Sequence, residues 1–260
     1  MRLATWNVNS ARARIDRIVA WLERSDVDVL AMQETKCKDD QFPTERFTAL
    51  GYEVAHHGHS QWNGVAIASR VGLDDVACGF PGQPTWGDPA QAEARAIAAT
   101  CGGVRVWSLY VPNGRQLGDP HLAYKLDWLA RLRDAGASWL ADDPSSQVAL
   151  VGDWNVAPQD DDVWDMEVFA HSTHVSPPER AAFQAIVDAG FGDVVRPHTP
   201  GEFTYWDYTQ LRFPKKQGMR IDFVLASPAL AKRVTGAMID RQERKGKGAS
   251  DHAPVVVELG

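Results

Sequence analysis

The sequence predicts an α/β fold in which sheets pack face to face and helices lie outside. Two observations carry this. Short apolar, β-branched runs alternate with amphipathic stretches along all 260 residues, and several runs are spaced as hairpins rather than in a regular β-α-β-α beat. Residues 3–6 form the first expected strand, after which Ile15, Ile18, Val19 and Leu22 keep the i, i+3, i+4, i+7 spacing of a helix face. Residues 27–32 give a second strand ending at Gln33-Glu34, and further strands are expected at 65–68, 94–99, 104–110, 148–151, 221–226 and 255–259. The pair 94–99 and 104–110 flanks Gly102-Gly103 as a hairpin. A long helix is expected from about Pro120 to Leu140, with Leu122, Leu126, Leu129 and Leu132 in one stripe. Another follows Pro178, with Phe183, Ile186 and Val187 inward and Gly190 as its stop. The segment 79–89, rich in proline, is expected to cross between sheet edges.

With no Gly/Ser linker, low-complexity tract or repeat, residues 1–260 are expected to form a single domain. A chain of this size buries enough surface to need no disulfide or structural metal. Cys37, Cys78 and Cys101 are too few and scattered for a disulfide framework or a CxxC site. No signal-like apolar segment follows Met1, and no apolar run approaches the roughly 18 residues of a membrane span, so a soluble, cytoplasmic protein without membrane partners is expected. The formal charge is −7, from 27 basic and 34 acidic residues, which argues against a nucleic-acid coat protein but not against a nucleic-acid enzyme. Charge is uneven. Residues 153–167 hold six acids and no base, whereas 211–220 hold Arg212, Lys215, Lys216 and Arg220 with no acid. Arg241, Arg244, Lys245 and Lys247 form a second basic stretch.

The informative pattern is the polar residue at the end of each of several strands: Asn7, Glu34, Asp153 with Asn155, Asp222, and Asp251-His252 before the last. A carboxylate beside an apolar strand is costly to bury unless it is paired, hydrogen-bonded or bound to a cation. Several together suggest one shared cleft. Hard oxygen donors with no cysteine and at most one histidine suit Mg²⁺ or Mn²⁺, and Mg²⁺ so held implies a phosphate-bearing substrate. Histidine beside aspartate can carry charge to a phosphoryl oxygen or shuttle a proton. The groups His56, His57, His59 and His171, His174 sit among turn formers without cysteine or carboxylate at matching spacing, and are expected to bind no metal. Trp107 and Trp128 are expected in the core.

The motifs Thr5-Trp6-Asn7-Val8-Asn9-Ser10, Leu30-Ala31-Met32-Gln33-Glu34-Thr35-Lys36, Asn63-Gly64-Val65-Ala66-Ile67, Tyr110-Val111-Pro112-Asn113-Gly114, Gly152-Asp153-Trp154-Asn155, Gly218-Met219-Arg220-Ile221-Asp222 and Ser250-Asp251-His252-Ala253-Pro254 occur in one order along the chain. In them the sequence resembles the exonuclease III family of abasic-site endonucleases, within the endonuclease/exonuclease/phosphatase superfamily. The Asp153 and Asp251-His252 motifs are common to the superfamily; the one opening at Tyr110 is narrower and favours the abasic-site branch.

The resemblance implies a four-layered α/β sandwich, two mixed sheets packed together with helices on both outer faces and the cleft at one end. It implies Mg²⁺-dependent cleavage of duplex DNA 5′ to abasic sites, leaving a 3′-hydroxyl, with 3′→5′ exonuclease and 3′-phosphatase activity at the same place on blocked 3′ ends, by a monomer. Glu34 then resembles the main Mg²⁺ ligand, replaceable by Mn²⁺, with Asn7 and Asp251 beside it. Asp153, Asn155 and His252 would neighbour any second ion. Asp153 resembles the residue that activates the attacking water or protonates the leaving oxygen, positioned by Asn155. His252, oriented by Asp222, and Tyr110 would hold the phosphate. Lys36, Asn113 and Arg115 would contact the DNA backbone, and Tyr205 with Trp206 would line the pocket for an extruded abasic sugar. Tyr205 stands where members commonly carry Trp or Phe, so its hydroxyl needs a partner. The resemblance makes residues 211–220 a DNA-facing loop and places the acidic run 153–167 beside the cleft. Two alternatives keep less of this: the same chemistry on RNA or another phosphodiester, and a catalytically retired DNA-binding protein.

Overall fold

The computed structural model describes residues 1–260. In chain order its strands and helices are β1 (Arg2–Asn7), α1 (Ala11–Ser25), β2 (Val29–Gln33), α2 (Thr44–Thr48), β3 (Glu53–His57), β4 (Val65–Ser69), β5 (Asp74–Cys78), β6 (Ala96–Cys101), β7 (Val104–Tyr110), α3 (Pro120–Asp142), β8 (Val148–Asp153), α4 (Met166–Phe169), α5 (Pro177–Asp188), β9 (Gly192–Asp193), β10 (Asp222–Ala226), α6 (Pro228–Ala231), β11 (Val234–Ile239) and β12 (Val255–Leu259). They build two six-stranded sheets, in the orders β11-β12-β1-β2-β4-β3 and β5-β6-β7-β8-β10-β9. Each has one parallel pair at its centre, β1 with β2 through α1 and β7 with β8 through α3. All other pairings are antiparallel. No helix is long and apolar enough to cross a membrane.

Strand alternation sorts side chains into layers. Leu3, Val29, Ala31, Val65, Val106, Val151, Val224 and Val255 face inward into an apolar layer between the sheets. The opposite faces are also apolar, because helices cover them: Trp6, Leu30 and Met32 pack on Ile18, Trp21 and Leu22 of α1, while Trp107, Leu150 and Phe223 pack with Trp128, Leu129 and Phe183 of α3 and α5. This is the face-to-face packing the sequence predicts and the four-layered sandwich the resemblance implies. The Trp6 and Trp21 rings meet edge-on at 5.5 Å, and burying each such side chain is worth about 1.5–3 kcal/mol.

The edges differ from expectation. Strands β3, β5 and β11 lie outside the apolar runs, and the first has His56 and His57 in a strand rather than among turns. The proline-rich segment 79–89 does not cross between sheets; it links β5 to β6, neighbours in one sheet. The expected strand at 94–99 begins two residues later, at Ala96.

Register delivers the polar residues to one end. Asn7 lies opposite Gln33, one residue before Glu34; Asp153 pairs with Tyr110 on one side and Asp222 on the other. Gly152 lets β7 and β8 approach here, since a Cβ on it would lie 1.9 Å from the Leu109 carbonyl oxygen, at φ 147°. At the other sheet, Gly64 (φ 90°) serves the turn after β2, where a Cβ would meet Thr35 Oγ1 at 2.1 Å.

Candidate active site

A cavity of about 640 Å³ opens where the strands end, and Glu34, Tyr110, Asn113, Arg115, Asp153, Asn155, Tyr205, Asp251 and His252 all line it. Glu34 is turned toward it by a left-handed backbone (φ 53°) directly after β2. Asn7 is fully buried behind it. The Asn7 Nδ2 donates to Glu34 Oε1 (2.7 Å) and Asp153 Oδ2 (2.9 Å), while its Oδ1 accepts from the Asn9 amide (3.0 Å). Asn7 therefore bridges two carboxylates through its N–H groups. Its oxygen is turned away from them.

The two carboxylates so bridged are unlike. Burial would raise the Glu34 carboxyl, but the Lys36 ammonium and the hydrogen bonds from Lys36 and Asn7 outweigh it and hold the group below its ordinary range. Asp153 is pushed up to about 7 by burial, against the charge of His252, with Asp222 and Glu34 adding to the rise. For His252 burial works downward, yet the charges of Asp222 and Asp153 win and lift it to about 10. His252 Nδ1 lies 2.8 Å from Asp222 Oδ2, which leaves Nε2 facing the cavity, 3.8 Å from Asp153 Oδ2. That gap is too long for a hydrogen bond, so both atoms can face a third group. Tyr110 stays a neutral phenol: burial and the Glu34 charge raise it well above its usual value, with the Arg95 guanidinium stacked 4.8 Å over its ring.

Asn155, also left-handed (φ 50°), donates from its backbone to Asp153 Oδ1 (3.0 Å) and from Nδ2 to the Val111 carbonyl (2.9 Å). Its Oδ1 accepts from Asn113 Nδ2 (3.2 Å) and meets His174 Nε2 at 3.0 Å. His174, which spacing alone set aside, is thus part of the cavity wall; burial and Lys125 depress it to about 3, so it is neutral.

Glu34, Asp153 and His252 present donor atoms within 4.8 Å of one another. The two carboxylates at that separation offer hard oxygen donors to a divalent ion, while His252, which keeps its proton, stands beside them as a hydrogen-bond donor. Asp251 faces the same cavity but is engaged by Asn9 Nδ2 at 3.0 Å.

Several expected residues lie elsewhere. Trp206 does not line the cavity: it is 2% exposed, sealed in the inter-sheet layer and edge-on to Phe213. Tyr205 does line it, with its hydroxyl donating to Asp207 Oδ2 (3.3 Å); in an extended segment consecutive side chains point opposite ways, so only one of the two can face the cavity. Lys36 reaches Glu34 Oε2 (2.7 Å) and Asn9 Oδ1 (2.6 Å) instead of standing free for a backbone phosphate. Arg220 is buried, donating to the Thr199 and Glu202 carbonyls, and Arg244 holds the Trp206 carbonyl. Of the basic loop, Arg212 borders the cavity, over the Trp164 ring at 4.8 Å. Within the acidic run, Asp160 and Asp162 pair with Arg180 and Arg196, so two of its six acids are neutralised by the protein itself. His56 finds a hydroxyl and a carboxylate, Thr35 Oγ1 and Asp39 Oδ1, each 2.8 Å away.

A polar cavity at one end of a two-sheet sandwich, with a bridged carboxylate pair and an aspartate-held imidazole, defines a phosphoesterase architecture. Residues 4–252 match the Endonuclease/Exonuclease/phosphatase family, and the chain belongs to it, in its exonuclease III branch. Exodeoxyribonuclease III of Haemophilus influenzae is 30% identical over 273 aligned positions, covering 100% of both chains. Among solved structures, the 3′ phosphatase NExo from Neisseria, bound to a product DNA hairpin, superposes with a TM-score of 0.93 at 36% identity, covering 100% of this chain and 99% of that one. An AP endonuclease from Archaeoglobus fulgidus gives 0.92 at 34% identity, with the same coverage.

Proposed function

We propose that this cavity hydrolyses DNA phosphodiesters 5′ to abasic sites, leaving a 3′-hydroxyl, and removes blocking groups from 3′ ends, with Mg²⁺ held by Glu34 and its neighbours. The chain is a hydrolytic nuclease of DNA repair, as its family and its full-length relatives indicate. The observation that carries the finer reading is the pair of carboxylates bridged by Asn7, one held ionised and one near neutrality, facing a charged His252. Asp153, poised near pH 7, can take a proton from water or give one to a leaving oxygen. His252, kept cationic by Asp222, donates to a non-bridging phosphoryl oxygen, and the Tyr110 phenol donates beside it. Asn155 fixes Asp153 through its backbone N–H, and Asn113 with Arg115 meets the strand at the rim. Tyr205 closes the sugar pocket without Trp206. A bound Mg²⁺ would polarise a phosphoryl oxygen and offset its charge.

A second reading, in which the 3′-end activities stand alone at the same site, is favoured by the likeness to a Neisseria enzyme described as a 3′ phosphatase. Three duplexes separate them: one with an internal tetrahydrofuran abasic analogue, one with a 3′-phosphate at a nick, one with a recessed 3′-hydroxyl, each with Mg²⁺ and with EDTA. Cleavage of the first only with Mg²⁺ is the expected result. Processing of the other two alone leaves the 3′-end reading, and three inert substrates sink both.

A further inference from the structure

Beneath the loops that carry Asn113 and Asn155 lies an ion pair sealed from solvent. Lys125 of α3 and Glu179 of α5 meet at 2.5 Å, each side chain 0% exposed. A buried pair costs several kcal/mol per ion in desolvation, and apolar residues of like volume often serve stability as well or better. Its contacts give a better reason for it. The Lys125 ammonium has three N–H donors, and it meets three acceptors: Glu179 Oε1, the Asn155 carbonyl (2.5 Å) and the Asn113 carbonyl (3.2 Å). Glu179 in turn accepts from the His174 backbone N–H (2.9 Å) and the Ser176 hydroxyl (2.5 Å). Three separate segments of the cavity wall therefore hang from one pair of charges.

Those segments need holding. Asn155 and His174 both sit at positive φ, 50° and 78°, conformations that persist in non-glycine residues only when the surroundings over-determine them. Above the pair the Asn113 and His174 side chains converge on Asn155 Oδ1.

We propose that Lys125 is a positioning residue for hydrolysis: by fixing the Asn113 and Asn155 carbonyls it holds the interlocked Asn113 and Asn155 carboxamides in the cavity wall and the Asn155 backbone N–H on Asp153, and Glu179 holds Lys125 and the His174 turn in register. The inference rests on the nuclease reading of the cavity.

The test compares wild type, Lys125→Met, Lys125→Arg and the double variant Lys125→Met with Glu179→Met, by thermal melting and by kcat and KM on the substrate the wild type cleaves. Lys125→Met, which strands a buried carboxylate, is expected to lose stability and on the order of 10²-fold in kcat, the cost of an ångström-scale misplacement. The double variant strands no charge and is expected to recover the wild-type melting temperature while keeping the loss in kcat. Lys125→Arg, which keeps charge and donors, is expected to recover part of kcat. A double variant with wild-type kcat would reduce the pair to packing and overturn the proposal, as would one that cannot fold. An inactive wild type would instead sink the nuclease reading.

Discussion

The two sheets end in the same place but contribute opposite electrostatics. Each has a central parallel pair joined by a crossover helix, and each delivers a carboxylate just beyond or at the end of its second parallel strand: Glu34 after β2, Asp153 ending β8. Glu34 keeps its charge because Lys36 and Asn7 supply donors at 2.7 Å. Asp153, more deeply placed with its side chain 2% exposed against 17% for Glu34, is pushed up to about 7 by that burial, with Asp222 and Glu34 adding to the rise and His252 opposing it. One fold device used twice thus yields a permanent anion suited to holding a cation and a proton-exchanging acid suited to chemistry. Depth of burial and the neighbouring charges together decide which is which.

Exchanging the roles is the strongest way to break this comparison. Asp153→Asn, which keeps shape and loses proton transfer, is expected to lower the single-turnover cleavage rate roughly 10³-fold; a loss below tenfold would remove Asp153 from the proton path. His252→Ala removes the donor facing the phosphoryl oxygen and is expected to cost on the order of 10²-fold in kcat. Glu34→Gln acts on the other side of the comparison. It should raise the Mg²⁺ concentration for half-maximal activity at least roughly tenfold, with much of the lost rate returning at saturating ion; a metal dependence unchanged from wild type would contradict the assignment.

A smaller effect sharpens the picture through stability. His252 binds its proton more tightly folded than unfolded, its value rising from 6.5 to about 10. The stability it contributes is therefore complete below about pH 6.5 and is lost as pH climbs toward 10. In EDTA, the melting temperature of the wild type should fall between pH 7 and 9 more steeply than that of His252→Gln; parallel slopes would count against the Asp222 pairing. Lys36→Met is expected to do least, a few-fold loss in metal affinity, since its ammonium touches Glu34 at the rim, 29% exposed.

The central strands and the residues at their ends were legible in the sequence because burial on both faces writes continuous apolar runs, and a polar residue closing such a run stands out. Edge strands were not. Asp74–Cys78 is mostly exposed and carries charges where a buried strand would carry valine. Trp206 was misplaced because its neighbour Tyr205 does face the cavity, and a motif read by adjacency ignores the alternation of an extended chain. His174 carried no signal at all. Its place depends on a left-handed turn and on Asn155, Asn113 and Glu179, partners that only the packing of α5 against α3 brings near.

The division of the reacting groups between two sheets makes activity a sensor of how those sheets mate. Asn7 spans them, reaching from β1 to Asp153 at the end of β8, and His252, just before β12, reaches Asp222 at the start of β10 through Nδ1 at 2.8 Å. A loosened globule could retain every strand and helix and still lose the constellation, because each sheet alone carries only half of it. Cleavage should therefore fade under mild denaturant before secondary structure does, reporting native packing rather than strand content.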